Sequence, residues 1–341
     1  MRGRLNRLFV LAAVIALAAT AAQAVTIDLV PVDNPGNAGE FSGAGAGGWG
    51  PGAIVGAVDY VYQIGKFEVT AGQYAEFLNA VAKTDAYGLY NTNMWSHTYG
   101  CKIQRSGSSG NYTYTVAADR ANRPVNYVSW GDAVRFANWL HNGQPTGVQD
   151  LTTTEDGAYY LNGAATTAAL MAVTRNSDAT WWIPSEDEWY KAAYHKNDGV
   201  TGNYWDFPTG TDSVPRNQLV SPDPGNNANF YSHGNTIGSP YWRTEVGAFK
   251  NSESPYGTFD QGGNLWEWNE AVLGSSRGLR GGCWGDDSNF LRASYRNIIT
   301  PTYEYYGFIG FRVASVPEPG SLAMLVGIAL TTLFCRKRKH V

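Results

Sequence analysis

The sequence predicts an α+β fold with few helices, short strands and long polar loops. Three segments begin with a helix-capping pattern and continue with an apolar face. The segments between them alternate in polarity over only a few residues, as short strands do. The chain of 341 residues also contains 40 glycines, which suits a fold with many turns because glycine accepts positive φ angles.

Each predicted helix starts at a hydroxyl residue whose side chain can cap the first turn. A second polar residue follows three positions later and can bond back to the cap amide. The three pairs are Thr70 with Gln73, Ser129 with Asp132, and Ser185 with Glu188. In the first helix the apolar residues from Tyr74 to Val81 fall on one face. We expect the third helix to stop near Gly199.

Short strands are predicted before the first helix, in the middle of the chain and near its end. They begin at Val61, cover residues 111–116, and include the closing segments 278–284 and 307–315. The stretch from residue 201 to 241 has no period and is predicted to be a loop. A loop of that length inside a domain is usually functional or held by specific contacts.

The N-terminus has the pattern of a secretory signal peptide over residues 1–24. Three arginines stand within the first seven residues, an apolar run follows from Leu8 to Ala19, and Ala22 and Ala24 give a small-x-small cleavage site. The apolar run is too short for a typical membrane span. We therefore expect an exported protein whose globular domain covers residues 25–315.

The C-terminus, residues 316–341, combines a Pro-Glu-Pro motif, a short apolar run and a basic end. The motif is at residues 317–319, the apolar run extends from Leu322 to Phe334, and cations follow from Arg336. This order resembles a PEP-CTERM sorting tail, which implies processing by an exosortase-type transpeptidase and only transient contact with the membrane. An unprocessed single-span anchor is the alternative. Both interpretations place the domain in the cell envelope, at the cell surface or in the extracellular matrix.

The net charge limits the classes of binding partner, and the cysteines bear on the redox state of the domain. The net charge is −4 and no basic patch is evident, so nucleic-acid binding is not indicated. Cys335 lies in the C-terminal tail, which leaves Cys101 and Cys283 in the domain. An oxidising compartment would allow these two residues to pair, and two buried free thiols are the alternative.

Six segments, taken in order, resemble the successive blocks of formylglycine-generating enzyme domains, also called sulfatase-modifying factors. The segments are YQIGKFEVTAGQYAEFLNAV, RPVNYVSWGDAVRFANWL, WWIPSEDEWYKAA, SPYGTFDQGGNLWEW, LRGGCW and GFRVAS. The resemblance extends over almost all of residues 25–315. It implies a C-type-lectin-like α+β fold with little regular secondary structure.

The family's copper chemistry is not supported by the residues at the expected positions. Its enzymes oxidise a cysteine of a sulfatase peptide with oxygen and Cu(I), which two active-site thiolates hold. The resemblance places Cys283 where the family has a serine, and Asp286 and Leu291 where it has the two cysteines. A carboxylate and an isobutyl group do not supply the soft ligands that Cu(I) prefers. Copper is therefore not expected, and Cys283 is left as a candidate catalytic residue.

The resemblance also implies bound calcium. The matching ligand positions are Asp260 and Glu267 by side chain, Gly263 and Leu265 by carbonyl oxygen, and, for a weaker second site, Asn229 and Phe230. Carboxylates and carbonyls from a tight glycine turn suit this hard cation. The alternative is a turn held only by the neighbouring tryptophans.

Other relatives of this domain are iron-dependent sulfoxide synthases with histidine ligands. The four histidines of the domain are scattered and form no H-x-x-x-H pair. They are His97, His141, His195 and His233. Surface or loop histidines are the ordinary interpretation of such a pattern.

Together these observations predict an exported binding or accessory module that lacks the copper cysteine pair. Its ligand would be an extracellular protein or polysaccharide. The alternative is a metal-dependent oxidoreductase that acts on a sulfur group through an altered metal site. The two hypotheses differ in whether a cysteine-containing sulfatase peptide is converted to an aldehyde.

Overall fold

The computed structural model describes residues 24–305 and 307–317, which form short helices and strands joined by long loops. The helices are α1 (Ala71–Val81), α2 (Asn93–Ser96), α3 (Ala118–Ala121), α4 (Trp130–His141), α5 (Thr167–Ala172) and α6 (Glu186–Tyr194). The strands are β1 (Leu29–Val32), β2 (Glu40–Ser42), β3 (Ala53–Val55), β4 (Tyr62–Gly65), β5 (Ile103–Ser106), β6 (Thr113–Val116), β7 (Trp181–Trp182), β8 (Trp266–Leu273), β9 (Ser276–Arg280), β10 (Asn297–Ile299), β11 (Ile309–Gly310) and β12 (Ala314–Ser315). The α+β prediction is confirmed.

Two four-stranded sheets organise the domain. The first has the antiparallel order β1-β4-β12-β7, so it joins the beginning of the described chain to its end. The second has the order β10-β9-β8-β11, with β11 parallel to β8. Two further hairpins, β2 with β3 and β5 with β6, lie outside these sheets. The second sheet leads into both candidate sites described below.

The three capping boxes predicted from the sequence are all formed. In α1, the backbone amide of Gln73 donates to Oγ1 of Thr70 at 3.2 Å, and Oε1 of Gln73 accepts from the amide of Thr70 at 2.9 Å. The end predicted for the third helix was wrong, since α6 stops at Tyr194. His195 is already extended there, and its ring accepts from the amide of Asn197, which turns the chain before Gly199.

Loss of one cap should lower stability measurably. We expect Thr70→Ala to reduce the free energy of unfolding by about 1 kcal/mol, because the amide of Gln73 loses its partner. Urea unfolding of the variant measures this change. Ser108→Ala, in an exposed turn, is the matched control. Equal unfolding midpoints for the two variants would contradict a stabilising role for the cap.

An aromatic core lies between helices α1 and α4 and the end of the chain. The ring of Phe136 is 5.3 Å from that of Phe77 and 5.4 Å from that of Phe311, measured between centroids. Tyr74 stacks on Phe136 at 6.1 Å. Such offset and edge-to-face pairs add to the free energy of burial itself. The predicted apolar face of α1 is confirmed, since its residues from Tyr74 to Val81 contribute four fully buried side chains.

The predicted loop is confirmed and is longer than expected. Between Tyr194 and Trp266 the described chain contains only isolated bridges and turns. A buried carboxylate, Asp223, helps to hold it by accepting from the amide of Asn251 at 2.9 Å and the hydroxyl of Ser252 at 2.9 Å. Although burial acts to raise it, these hydrogen bonds bring the pKa of Asp223 below its usual value.

The predicted signal peptide and sorting tail fall almost entirely outside the described residues. Within residues 24–305 and 307–317, no helix has both the length and the apolar character needed to cross a membrane.

Candidate functional site

Two glycines lead from strand β9 to the Gly-Gly-Cys segment. Gly281 and Gly282 have φ angles of +98° and +74°. A Cβ atom at Gly281 would lie 2.5 Å from the carbonyl oxygen of Gln261, so this close approach requires glycine. The carbonyl of Gly281 accepts from the amide of Gly263 at 2.8 Å. The segment that contains Cys283 therefore packs directly on the turn that carries the predicted calcium ligands.

Cys283 and Asp286 are joined by reciprocal hydrogen bonds and are called here the closed pair. Oδ2 of Asp286 accepts from the amide of Cys283 at 3.1 Å, and the amide of Asp286 donates to the carbonyl of Cys283 at 3.1 Å. The thiol also bonds to the carboxylate. Burial, and then the charge of Asp286, raise the pKa of the Cys283 thiol well above its usual range. A thiol held protonated in this way is a weak nucleophile and a weak metal ligand.

Leu291 points into the apolar core. It ends a 3₁₀ helix over Ser288–Leu291 and is fully buried. Its side chain packs in a cluster with Phe207, Ala228 and Phe230. The resembled family has copper-binding cysteines at two positions. Here the first is Asp286, whose carboxylate bonds to the amide of Cys283, and the second is Leu291, a core residue. The residues present do not fit Cu(I).

Four aromatic rings, called here the aromatic cluster, pack together around Trp284, the residue that follows Cys283. Trp284 lies 4.9 Å from Trp242, 5.0 Å from Tyr99 and 5.3 Å from Phe308, between ring centroids. The indole nitrogens of Trp242 and Trp284 are buried and have no hydrogen-bond partner in the described structure. Trp242 has a φ of +63°. A bulky residue rarely adopts this conformation, and residues that do are concentrated at functional sites.

Cys101 lies near the same cluster and is not bonded to Cys283. Both are buried free thiols, so the disulfide left open by the sequence is not formed. Burial raises the pKa of Cys101, while the nearby guanidinium of Arg243 lowers it. Arg243 is fully buried and donates to the carbonyl of Tyr99 at 2.6 Å. Burial lowers the pKa of Arg243 to about 10.

Glu267, one of the predicted calcium ligands, is part of a buried ion pair. Its Oε2 accepts from Nε of Arg312 at 2.6 Å and from the indole of Trp189 at 2.8 Å, and its Oε1 accepts from Nη2 of Arg312 at 2.7 Å. Both charged side chains are fully buried. Burial alone would lower the pKa of Arg312, but Glu267 and its acidic neighbours raise it above its usual value.

Two further carboxylates stand close to this ion pair. Oδ2 of Asp260 accepts from the amide of Gly247 at 2.6 Å, and burial raises the pKa of Asp260 to about 6. Oε2 of Glu68 accepts from the side chain of Asn264 at 2.8 Å, whereas its buried Oε1 has no partner in the described structure. Burial, Asp260 and Glu267 raise the pKa of Glu68 well above its usual range.

Asn264 connects the turn to the rest of the site. It sits in the left-handed region at φ +57°, and its Oδ1 accepts from the amide of Thr244 at 3.1 Å and from Nδ2 of Asn229 at 3.0 Å. Its carbonyl accepts from the amide of Trp284 at 3.1 Å. Asn229, predicted for a second calcium site, thus uses its amide group to hold Asn264. The adjacent Phe230 places its ring in the core.

Three carboxylates and one guanidinium lie together at this turn, which bears on the predicted calcium site. Arg312 can balance only one of the three carboxylates Glu68, Asp260 and Glu267. A carboxylate oxygen can accept two hydrogen bonds, so Oε1 of Glu267 retains one lone pair. Gly263, with φ +82°, approaches the Asn229 carbonyl so closely that a Cβ would lie 2.2 Å from its oxygen. A hard dication would offset the remaining negative charge.

The predicted histidines lie in different environments. His195 is buried and bonds to the hydroxyl of Tyr256 at 2.9 Å, whereas His141 accepts from the amide of Thr180 at 3.0 Å. His97 and His233 are exposed. Across the part of the chain that the structure describes, no group of three or more histidine, cysteine, aspartate or glutamate residues is placed to hold a metal.

Comparison with known families now decides the identity of the domain. The family described as "Sulfatase-modifying factor enzyme 1-like domain" matches residues 56–316. The chain belongs to this family. The resemblance seen in the sequence blocks is therefore confirmed at the level of the domain.

Individual relatives of this sulfatase-modifying factor domain are more distant. The chain is 25% identical over 284 residues to hercynine oxygenase of Mycobacterium tuberculosis (strain ATCC 25618 / H37Rv), a match that covers 74% of this chain and 52% of the relative. The chain thus spans about half the length of this curated relative.

Solved structures share the fold of this domain. Treponema denticola variable protein 1 superposes with a TM-score of 0.52 at 20% identity, covering 87% of this chain and 98% of that one. CarF superposes with a TM-score of 0.49 at 20% identity, covering 86% and 99% of the two chains. With the family match, the first of these structures confirms the C-type-lectin-like α+β prediction.

Several residues that build this sulfatase-modifying factor site were not recognised in the sequence. Arg312 lies in the GFR block but carries no local signal that its partner is Glu267, which is 45 positions away. Glu68 and Asn264 lie outside the regular elements of the structure, and neither was recognised as a site residue from the sequence. Trp189 is fully buried in α6, but its hydrogen bond to Glu267 could not be predicted from the sequence.

The buried thiols should react slowly. We expect Cys101 and Cys283 of the folded protein to be labelled by a thiol reagent at least about tenfold more slowly than in denaturant, because each unit of raised pKa removes about nine-tenths of the thiolate. Labelling at mildly alkaline pH, followed by peptide mass spectrometry, resolves the two sites from Cys335. Rapid labelling of Cys283 in the folded protein would contradict the closed pair with Asp286.

Proposed function

We propose that this domain is an extracytoplasmic binding or accessory module that does not form formylglycine. The observation that carries this proposal is the pair of residues at the family's copper positions. Asp286 bonds to the amide and thiol of Cys283, and Leu291 is a core residue. Neither can act as a thiolate ligand, and Cu(I) selects soft sulfur donors.

The aromatic cluster is the surface that we propose for the ligand, an extracellular polysaccharide or protein. Tyr99, Trp242 and Phe308 are partly exposed, so their rings remain accessible at the edge of the cluster. Aromatic rings offer large rigid contact areas for such a ligand. The left-handed backbone of Trp242 holds this ring in place.

Replacement of Trp242 tests this surface. Affinity electrophoresis in gels that contain the native matrix polysaccharide, and pull-down of envelope proteins, compare Trp242→Ala with the unchanged protein. A central aromatic contact is worth about 2 kcal/mol or more, so binding to the true ligand should weaken by more than about tenfold. Trp95→Ala is the control, since Trp95 is 45% exposed and lies outside the cluster. Equal effects of the two variants would contradict the proposed surface.

A direct assay tests whether the domain is an oxidase. Purified protein is incubated with Cu(I), oxygen and a cysteine-containing sulfatase peptide. The peptide is then examined for an aldehyde by hydrazide capture and mass spectrometry. We expect no aldehyde above the level seen without protein. Aldehyde formation that requires the protein would overturn the proposal.

An oxidoreductase that acts on a sulfur group through an altered metal site is the second candidate function. Its support is the curated relative named hercynine oxygenase and the buried Cys283 thiol beside the aromatic cluster. In that case the aldehyde or another oxidised product should disappear in Cys283→Ser and persist in Cys101→Ser.

We propose that the mature protein is exported and sorted to the envelope. The basic and apolar N-terminus and the Pro-Glu-Pro tail support this localisation. Intact mass of protein from native envelopes should show loss of about 24 N-terminal residues, the usual length of a signal peptide, and loss of the tail after the motif. A retained tail in cells that contain the sorting enzyme would identify a simple anchor.

We propose a structural calcium ion held by Asp260 and Glu267 with the carbonyls of Gly263 and Leu265. The ion would offset the excess carboxylate charge around Arg312 and tie the turn to the core. Because only the folded state would bind it, calcium at 100 times its dissociation constant would stabilise the protein by about 2.7 kcal/mol. We expect a chelator to lower the melting temperature by the corresponding amount.

Variants separate calcium binding from the turn itself. Asp260→Ala should abolish the effect of calcium on the melting temperature and Glu267→Gln should weaken it, whereas Asp212→Ala, an acid of the long loop outside this turn, should leave it intact. If chelated and calcium-loaded samples melt together and elemental analysis finds no calcium, the turn is stabilised by its tryptophans and by Arg312 alone.

A further inference from the structure

A cavity that is separate from the aromatic cluster opens beside the C-terminal end of strand β8. It has a volume of about 160 Å³. Its walls combine aromatic, aliphatic and charged side chains from four segments of the chain: Trp130, Tyr159, Val173, Thr174, Arg175, Glu270, Val272 and Arg277. Thr174 and Val272 are exposed, so the cavity can be reached from solvent.

An irregularity in the sheet forms one wall of this cavity. The pairing of β8 with β9 shifts register between Trp268 and Val272. Such bulges bend a strand and re-aim its side chains, and they are frequent next to binding sites. Here the irregular segment places Glu270 and Val272 beside Arg277 of the neighbouring strand.

Arg277 is a buried cation whose charge is not matched by a close carboxylate. It is 2% exposed, and it donates to the carbonyls of Glu270 at 2.8 Å, Leu170 at 2.7 Å and Val173 at 2.7 Å. Within the described residues it makes no ion pair, and its Nε has no hydrogen-bond partner. A buried guanidinium normally has such a partner, because an unmatched buried charge is destabilising.

A second unused donor lies next to it. Trp130 is fully buried, and the guanidinium of Arg277 stacks 3.8 Å from the centre of its ring. The indole nitrogen of Trp130 likewise has no partner in the described structure. The stacked pair therefore places two N–H groups without partners, one of them from a cation, on residues that line a single cavity.

The carboxylate of Glu270, the acidic residue of the cavity, already has hydrogen-bond partners. Glu270 accepts from the hydroxyl of Tyr159 at 2.5 Å and from Arg175 at 2.8 Å, and Arg175 also bonds to Glu188 at 2.9 Å. Arg175 thus bonds to the carboxylates of both Glu188 and Glu270, whereas Arg277 reaches only the backbone carbonyl of Glu270. Glu270 uses its oxygens on Tyr159 and Arg175, which leaves the unused donors of Arg277 and Trp130 for another acceptor.

We propose that this cavity binds a small monocarboxylate. The two oxygens of a carboxylate match the two unused N–H donors, and an anion suits a guanidinium without a close counter-ion. The aliphatic Val173 and Val272 and the ring of Tyr159 would contact a short apolar tail. The volume of about 160 Å³ is well above the roughly 10–15 Å³ that one water needs, so the cavity has room for a molecule larger than water.

Fluorine NMR tests this proposal on the full chain with trifluoroacetate as the probe. We expect the probe signal to broaden in the presence of protein and to sharpen when acetate is added at constant ionic strength. Sulfate should compete at least about tenfold more weakly than acetate, because its four oxygens leave the apolar wall uncovered. Stronger competition by sulfate than by acetate would overturn the monocarboxylate assignment.

Two variants locate the binding. Val272→Trp should block the mouth and weaken binding by more than about tenfold, whereas Val220→Trp, at a loop valine that is 50% exposed, should have no effect. Trp130→Phe keeps an aromatic ring under Arg277 and removes one donor, so binding should weaken about fivefold.

A crystal structure grown with acetate gives an independent readout. We expect a carboxylate in contact with Arg277 and Trp130. Probe broadening that is equal in the unchanged protein and in Val272→Trp, or a cavity filled by ordered water only, would overturn the proposal.

Discussion

Glu267→Ala is expected to lower the free energy of unfolding by about 3–5 kcal/mol, the usual effect of removing one partner of a buried ion pair. The change would leave the guanidinium of Arg312 fully buried without the carboxylate that bonds to it twice. The indole of Trp189 would also lose its acceptor. Urea unfolding in the presence of a chelator measures this effect without any contribution from calcium.

An exposed ion pair provides the matched control for this prediction. Arg292 and Asp206 are 2.9 Å apart, but their side chains are 34% and 55% exposed. Asp206→Ala should therefore change stability by less than about 1 kcal/mol. Combining Glu267→Ala with Arg312→Met should recover part of the lost stability, because no charge then remains buried. Similar small effects of Glu267→Ala and Asp206→Ala would show that the buried pair does not stabilise the turn.

Leu291→Ala is expected to cost about 2–5 kcal/mol, because it removes a fully buried side chain and leaves a cavity. The side chain packs against Phe207 and Phe230, and both of these residues belong to the long loop. The loss should therefore also increase proteolysis of the loop in the folded protein. Chemical unfolding and limited proteolysis measure the two effects.

The control for Leu291 is a leucine of the same loop that is exposed to solvent. Leu219 is 44% exposed, and Leu219→Ala should change stability by less than about 0.5 kcal/mol. If Leu291→Ala were as mild as Leu219→Ala, the side chain at position 291 would not be a core residue.

Local features of the fold were predictable because they depend on neighbouring residues. Each capping box is encoded within four residues, so the starts of α1, α4 and α6 could be predicted correctly. The end of α6 was harder to predict, since it depends on His195 and Asn197 rather than on the glycine two residues later.

The longest strand was missed because its burial is not that of a half-buried strand. Residues Trp266 to Asn269 at the start of β8 alternate between apolar and polar side chains, yet all four are buried. In the sequence, the two tryptophans of this segment indicated only an anchored turn. Burial on both faces becomes visible only when the second sheet is assembled.

The buried ion pairs of the domain could not be predicted, because each one joins residues that are distant in the sequence. The acidic start of α6 was interpreted as helix capping, which is correct for Glu188. Glu186 instead bonds to Arg280 at 2.7 Å and to Arg296 at 2.6 Å, from 94 and 110 positions away. No local pattern specifies such partners.

The central claim, that this sulfatase-modifying factor domain has no copper centre, is tested most directly by its affinity for Cu(I). Anaerobic competition with a chromogenic Cu(I) chelator measures this affinity for the unchanged protein and for the Cys101→Ser/Cys283→Ser variant. We expect equal and weak binding by both proteins. One equivalent of tightly bound Cu(I) in the unchanged protein, lost on Cys283→Ser, would contradict it.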